Sequence, residues 1–322
     1  MAKTTKPSRS LAQIKREFAT DEACKAYLTK KRWPDGKVAC PRCGATEKVY
    51  TLRTRPFHWV CKNASKACPG IYRFSVLTGT VFENTNVPLR TWFEVLYLMT
   101  QSKKGISALQ IHRMIDPVHG KTGAYRTAWY MCHRIRAAMK DGGFFKLGGE
   151  VEVDETYIGG SAVNAHRGNR GKRTSATPGK RGNLIPPKAA VIGAIARKGN
   201  VVCKVIEGAD QYTMQRFVRQ TVADDVSLVA TDEHTGYVGL SLGPNLGPGL
   251  PHETVKHRSG EYVRGNVHTA NLDSFWSLLK RGVMGTFHKV SADYLPLYLN
   301  EFSFRHNNRD NADIFDAVLA GC

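Results

Sequence analysis

The sequence predicts a multidomain chain: a cysteine-rich N-terminal ribbon, a short helical segment, and a C-terminal α/β domain. Three observations predict it. Four of the eight cysteines fall within 29 residues, from Cys40 to Cys68. The net charge of +20 is segregated, with 27 basic against 9 acidic residues over 1–149 and 20 against 18 over 150–322. Helical spacing of apolar residues dominates 88–139, whereas strand-like alternation begins at residue 150.

Composition limits the classes open to the chain. At 42% hydrophobic and 23% charged residues it is an ordinary folded protein, neither collagen-like nor wholly disordered. No apolar run approaches the roughly 18 residues that span a bilayer. The basic start MAKTTKPSRS is followed by no apolar stretch of the kind a secretory signal carries. We therefore expect a cytoplasmic protein with no membrane contact. A surplus of cations this large and this localised points to a polyanionic partner, and nucleic acid is the commonest.

The ribbon, assigned to 20–80 with an N-terminal helix, starts from Cys40-Pro41-Arg42-Cys43-Gly44. Two thiolates at this spacing, followed by glycine, reach one tetrahedral Zn²⁺ while the turn amides point at sulfur. The second pair, Cys61 and Cys68, encloses six residues, wider than usual. That leaves His58 as an alternative to Cys68 for the fourth ligand. The intervening KVYTLRTRPFHWV alternates and carries aromatic residues, as ribbon hairpins do.

The helical segment is placed at 88–142. Pro88 opens a helix carrying Trp92, Val95, Leu96 and Met99, and Gly105 breaks it. Ile106, Leu109, Ile111 and Ile115 suggest a second helix, ended near Pro117 and Gly120. The third, Tyr125 to Met139, carries Arg126, His133, Arg134 and Arg136, with Lys140 just beyond. Three short helices with a basic last one fit a helix-turn-helix-like reader of DNA.

The α/β domain is assigned to 148–312. EVEVDETYI at 150–158 alternates, setting Glu152, Asp154 and Thr156 on one face and Val151, Val153 and Glu155 on the other. A carboxylate amid residues seeking a core is costly unless it binds a metal or partner. The stretch 161–188 carries seven basic and no acidic residues and reads as a mobile loop suited to a phosphate backbone. Strands AAVIGAIAR and NVVCKVIEG, a helix in TMQRFVRQTV, and a strand VSLVATDEHTGY carrying Asp232 follow, with a short fifth strand in PHETVKHRSGEYVRG. This order matches an RNase H-like sheet. A later helix, NLDSFWSLLKRG, sets Asp273, Trp276, Ser277 and Lys280 along one side.

These segments resemble the zinc-ribbon insertion-sequence transposases with an ISXO-type DDE catalytic domain. VEVDETYIGG, TDEHTGY, VHTANLDSFWSLLKRG, GTFHKVS and EFSFRHNNR occur in the family's order, and CPRCG, LTGTVF and SKKGIS match it upstream. The resemblance covers roughly residues 35–310. It implies a DNA transposase that binds the terminal inverted repeats of its element and catalyses strand cleavage and strand transfer. Asp154, Asp232 and Asp273 would be its catalytic acids, holding Mg²⁺ or Mn²⁺, and Lys280 would contact phosphate. Asp273 stands where the family commonly has Glu, one methylene longer. The expected partners are element-end and target double-stranded DNA and further copies of the chain, as a homodimer or larger synaptic complex on the nucleoid.

Neighbouring residues read more plainly. Glu152, Glu155 and Glu233 are expected to be solvated or supporting, and His234, His268 and His288 to make structural or polar contacts. Trp276 reads as core packing, and Arg305, Asn307 and Arg309 as DNA-binding or helix-capping residues. The alternative to an active enzyme is a catalytically inactive or domesticated zinc-ribbon regulator.

Overall fold

The computed structural model describes residues 9–115, 124–140, 146–159, 188–241, 249–255 and 263–322. All but Lys188 of the basic stretch at 161–188 lies outside these. The chain divides into two compact units, one of Met1–Lys140 with Asn308–Cys322 and one of Asp141–Asn307. This differs from the three-part expectation: ribbon and helical segment belong to one unit, and residues 308–312 leave the α/β domain for it.

The first unit opens with α1 (Leu11–Glu17) and α2 (Asp21–Arg32), each entered through a hydroxyl cap, Ser10 on Gln13 N–H and Thr20 on Ala23 N–H. Strands β1 (Val49–Thr51), β2 (His58–Cys61) and β3 (Tyr72–Ser75) form an antiparallel sheet in that order. Helices α3 (Leu89–Gln101), α4 (Ala108–Met114) and α5 (Tyr125–Ala138) follow. The C-terminal helix α9 (Ile314–Ala320) returns to this unit, where Phe315 meets Phe18 and Phe93. Asp316 fixes it there, accepting from Tyr27 Oη at 2.6 Å, Lys31 Nζ at 2.8 Å and Arg9 Nη1 at 3.0 Å.

Helix α5 does not present the expected basic face. Arg136 is 1% exposed and His133 is buried, while Arg134 spends its guanidinium on the carbonyls of Glu83 and Thr80. Packing takes up its middle, and of the five basic residues only Arg126 at its start and Lys140 just past its end are exposed.

The second unit is built on β4 (Glu150–Ile158), β5 (Ala189–Ala196), β6 (Val201–Ile206), β7 (Leu228–Thr231) and β8 (His252–Thr254). Their order is β6-β5-β4-β7-β8; β4, β5 and β6 pair antiparallel, β4 and β7 parallel, β7 and β8 parallel. Helix α6 (Gln211–Thr221) covers one face, packing Met214, Phe217 and Val218 against Val151, Val153 and Val229. Helices α7 (Ala270–Gly282) and α8 (Leu295–Asn307) cover the other, where Leu272, Trp276, Leu279, Leu299 and Phe302 meet Val191 and Ile195. Both central strands are therefore buried on two sides, which is why β5 reads as a continuous apolar run. Among the described residues no helix is long and apolar enough to cross a membrane.

Candidate functional site

In the ribbon, Gly44 takes φ +72°, the left-handed conformation that the turn after Cys43 needs. The turn is closed by Gly44 N–H to Cys40 O at 2.8 Å and Cys40 N–H to Ala45 O at 2.9 Å. It brings Cys40 and Cys43 to Cys61 and Cys68, all four sulfurs lying within 4.8 Å of one another. Cys40–Cys68 and Cys43–Cys61 are each 3.8 Å apart. Tetrahedral Zn²⁺ with arms of about 2.3 Å sets sulfur–sulfur edges near 3.8 Å, so the donor set fits that ion. An N–H bond from the backbone at Ala45 helps pull the Cys43 thiol down to about 6, while burial pushes Cys61 and Cys68 up; a bound metal would hold all four as thiolates. His58 turns away, its Nδ1 2.9 Å from Pro56 O.

In the second unit the geometry starts from the sheet. β4 and β7 run parallel, and their pairing ends at Glu152 opposite Ala230. Asp154, in the middle of β4, and Asp232, just past the carboxyl end of β7, lie beyond the last parallel pair, where a crevice opens between the two strands. Their oxygens, with one of Glu155, all lie within 4.8 Å of one another. Crowding and burial act together on Asp154: burial first, then Glu155, Asp232 and Asp273, push its carboxyl up to about 7. His234 N–H donates to Asp232 Oδ1 at 3.0 Å.

Helix α7 supplies the opposite wall. Asp273, Ser277, Lys280 and Arg281 are exposed and line, with Asp154 and Glu155, an open groove of about 660 Å³. Asp273 Oδ2 accepts from Thr269 Oγ1 at 3.2 Å, and Asp273 is not in the close carboxylate set. The structure thus brings Asp154 and Asp232 together and sets Asp273 and Lys280 with Asp154 on one groove. A groove with acids on its floor and cations on its rim suits a phosphodiester held by divalent ions.

Two residues that sequence reasoning undervalued position this wall. Glu152, fully buried, accepts from the backbone N–H groups of Asn271 at 2.9 Å and Leu272 at 3.2 Å. It thereby caps α7 from outside, where Thr269 makes no side-chain cap. Asn271 Nδ2 at 2.7 Å, Arg197 Nε at 2.9 Å and His268 Nδ1 at 3.3 Å complete its surroundings. Trp276 packs as expected, and it also donates its Nε1–H to Asp154 Oδ2 at 2.9 Å. Gly193, cross-strand from Asp154, makes room for the indole: a Cβ there would come within 2.7 Å of the ring.

The other neighbours make polar contacts of their own. Tyr237 Oη donates to Glu155 Oε2 at 2.9 Å. Arg305, expected to bind DNA or cap a helix, is turned inward to Glu301 on α8, and Asn307 bonds both backbone groups of Val201. His288 ends a π-helical turn, Val283–Phe287, at φ +60°.

Residues 146–307 match the family described as the ISXO2-like transposase domain, and residues 19–68 match the transposase zinc-ribbon domain. The chain is 30% identical over 292 residues to an "Uncharacterized protein in transposable element ISH50" of Halobacterium salinarum, covering 89% of this chain and 91% of that one.

Proposed function

Because the chain belongs to the ISXO2-like transposases and carries a transposase zinc-ribbon domain, we propose that it binds the terminal inverted repeats of its own element and catalyses their cleavage and transfer to target DNA. The observation that carries this reading is the meeting of Asp154 and Asp232 where the pairing of β4 and β7 ends, with Asp154 on a groove shared with Asp273 and Lys280. The strand order β6-β5-β4-β7-β8, with the first three strands antiparallel, supports an RNase H-like sheet.

Asp154, Asp232 and Asp273 would hold Mg²⁺ or Mn²⁺, and Cys40, Cys43, Cys61 and Cys68 would hold Zn²⁺. Divalent ions at such a site activate an attacking hydroxyl and offset charge on the phosphate being displaced. Trp276 fixes the first acid. Glu152 fixes the helix that carries the third. Lys280, exposed two turns beyond Asp273, takes a neighbouring phosphate. The basic front unit supplies the sequence-independent hold on DNA. Two ends must be joined in one event, so the active form is a homodimer or larger synaptic complex on nucleoid DNA.

A second reading, an inactive or domesticated zinc-ribbon regulator, is favoured by Asp273 alone, which has the shorter side chain and stands outside the close carboxylate set. One assay separates them: a labelled duplex ending in the repeat that flanks the gene, Mg²⁺, a target plasmid, and Asp154→Asn alongside. Metal-dependent joined product that the variant does not make supports the enzyme. Tight end binding with no product from wild type supports the regulator.

A further inference from the structure

We propose that Glu155 is a fourth carboxylate ligand of the divalent ions, offsetting the short reach of Asp273, and that Tyr237 is the positioning residue that holds it. The inference rests on the reading of this groove as a metal-dependent site.

Alternation along β4 sends Glu155 to the apolar face of Val151 and Val153. The strand keeps that register, its pairing with β5 running without a break to Ile158. Pairing with β7 ends at Glu152, so Glu155 borders the crevice that opens between the two strands. Its carboxylate lies with those of Asp154 and Asp232, and Asp273 does not. The Glu155 side chain is only 8% exposed. A carboxylate so removed from water, beside two others, is costly unless donors or a cation satisfy it. Its neighbours go part of the way. Tyr237 Oη binds Oε2 at 2.9 Å, while His234 Nε2 stands 3.8 Å from Oε1, too far for a hydrogen bond. Tyr237 is itself fully buried, in the turn Thr235–Tyr237 that follows Asp232. One loop therefore delivers both the second acid and the hydroxyl that aims Glu155. Asp273 is exposed and engaged by Thr269. A glutamate on the strand thus supplies the reach that an aspartate on the helix lacks.

The test is Mn²⁺ binding by full-length, zinc-loaded protein, with free Mn²⁺ read by electron paramagnetic resonance. Glu155→Gln, of the same shape, is expected to weaken binding at least about tenfold, and Tyr237→Phe by a smaller factor, in line with the effect of losing a ligand or its support. Asp273→Asn is expected to weaken it less than Glu155→Gln. Unchanged affinity and stoichiometry in Glu155→Gln, with normal binding by wild type, would overturn this inference and leave the metal site standing. No Mn²⁺ binding by wild type would overturn both. Wild-type protein loaded with Fe²⁺ and treated with peroxide gives a measurement free of any folding defect. Backbone scission at 154–155 and near 232 is expected, and scission near 232 and 273 without any at 155 would overturn the assignment.

Discussion

The indole N–H of Trp276 donates to Asp154 Oδ2 at 2.9 Å across the interface of α7 and β4. A residue that fills the core thus also fixes the orientation of the first acid. Trp276→Phe keeps an aromatic ring and removes the donor. A hydrogen bond to an ionised group contributes about 1.5–3 kcal/mol, so the cleavage rate should fall roughly tenfold or more while end-DNA affinity stays constant. Gly193→Ala probes the contact from the other side, since its Cβ would crowd the same ring. Overpacking of this kind costs about 1–3 kcal/mol. Urea denaturation should show that loss, and combining the substitution with Trp276→Phe should recover part of it.

Glu152 is the support of α7. Glu152→Ala removes a buried charge that Arg197 and two helix N–H groups depend on. Breaking such a pair costs about 3–5 kcal/mol. Chemical denaturation should report a loss of that order, and Glu152→Gln, which keeps the shape and acceptor oxygen, should lose less.

These positions mark what the sequence could and could not tell. Alternation places Asp154 on β4, and helical spacing places Asp273 with Lys280, because both signals are local. The same alternation sets Glu155 on its face, but not its meeting with Asp154 and Asp232, since the point where β4 and β7 part depends on a strand some 75 residues away. The donor role of Trp276 is invisible because an indole that packs and an indole that also donates have the same periodicity. Arg134 and Arg136 look like a DNA-facing stripe until tertiary packing turns them inward. The loop between Cys61 and Cys68 brings Cys68, and not His58, to the other three sulfurs, which spacing does not determine. The return of α9 to the first unit depends on Asp316 meeting Arg9, Tyr27 and Lys31, a pairing no local pattern announces.

The acid cluster has a pH signature. Asp154 sits at about 7 in the folded chain, above the value of about 3.9 expected when unfolded. The protonated form therefore favours folding: this contribution is fully present below about pH 4 and is lost as pH rises through about 7. Metal-free protein should melt lower at pH 8 than at pH 5.5 on this account, and Asp154→Asn should flatten the difference. Added Mg²⁺ should raise the melting temperature more at pH 8 than at pH 5.5. An equal rise at both would show that Asp154 does not titrate with the metal.

The ribbon makes a separable prediction. Zinc content should be one ion per chain in wild type and in His58→Ala, and should fall in Cys68→Ser. Chelation should unfold the ribbon, since metal-binding energy in such sites is folding energy. Far-ultraviolet circular dichroism during chelation, beside metal analysis of the variants, checks both.

On the proposed function, the carboxylates at and beside the groove do the chemistry while the rest of the chain holds the DNA. The most direct test measures end-DNA binding and strand transfer together for wild type, Asp232→Asn and Asp273→Asn in Mg²⁺. Loss of charge stabilisation at a reacting centre costs roughly 10²–10³-fold or more in rate. We predict losses of that size in transfer with affinity for the end DNA held within about twofold. Transfer at wild-type rates by either variant would contradict the account for that acid, and at both it would remove the groove from the reaction.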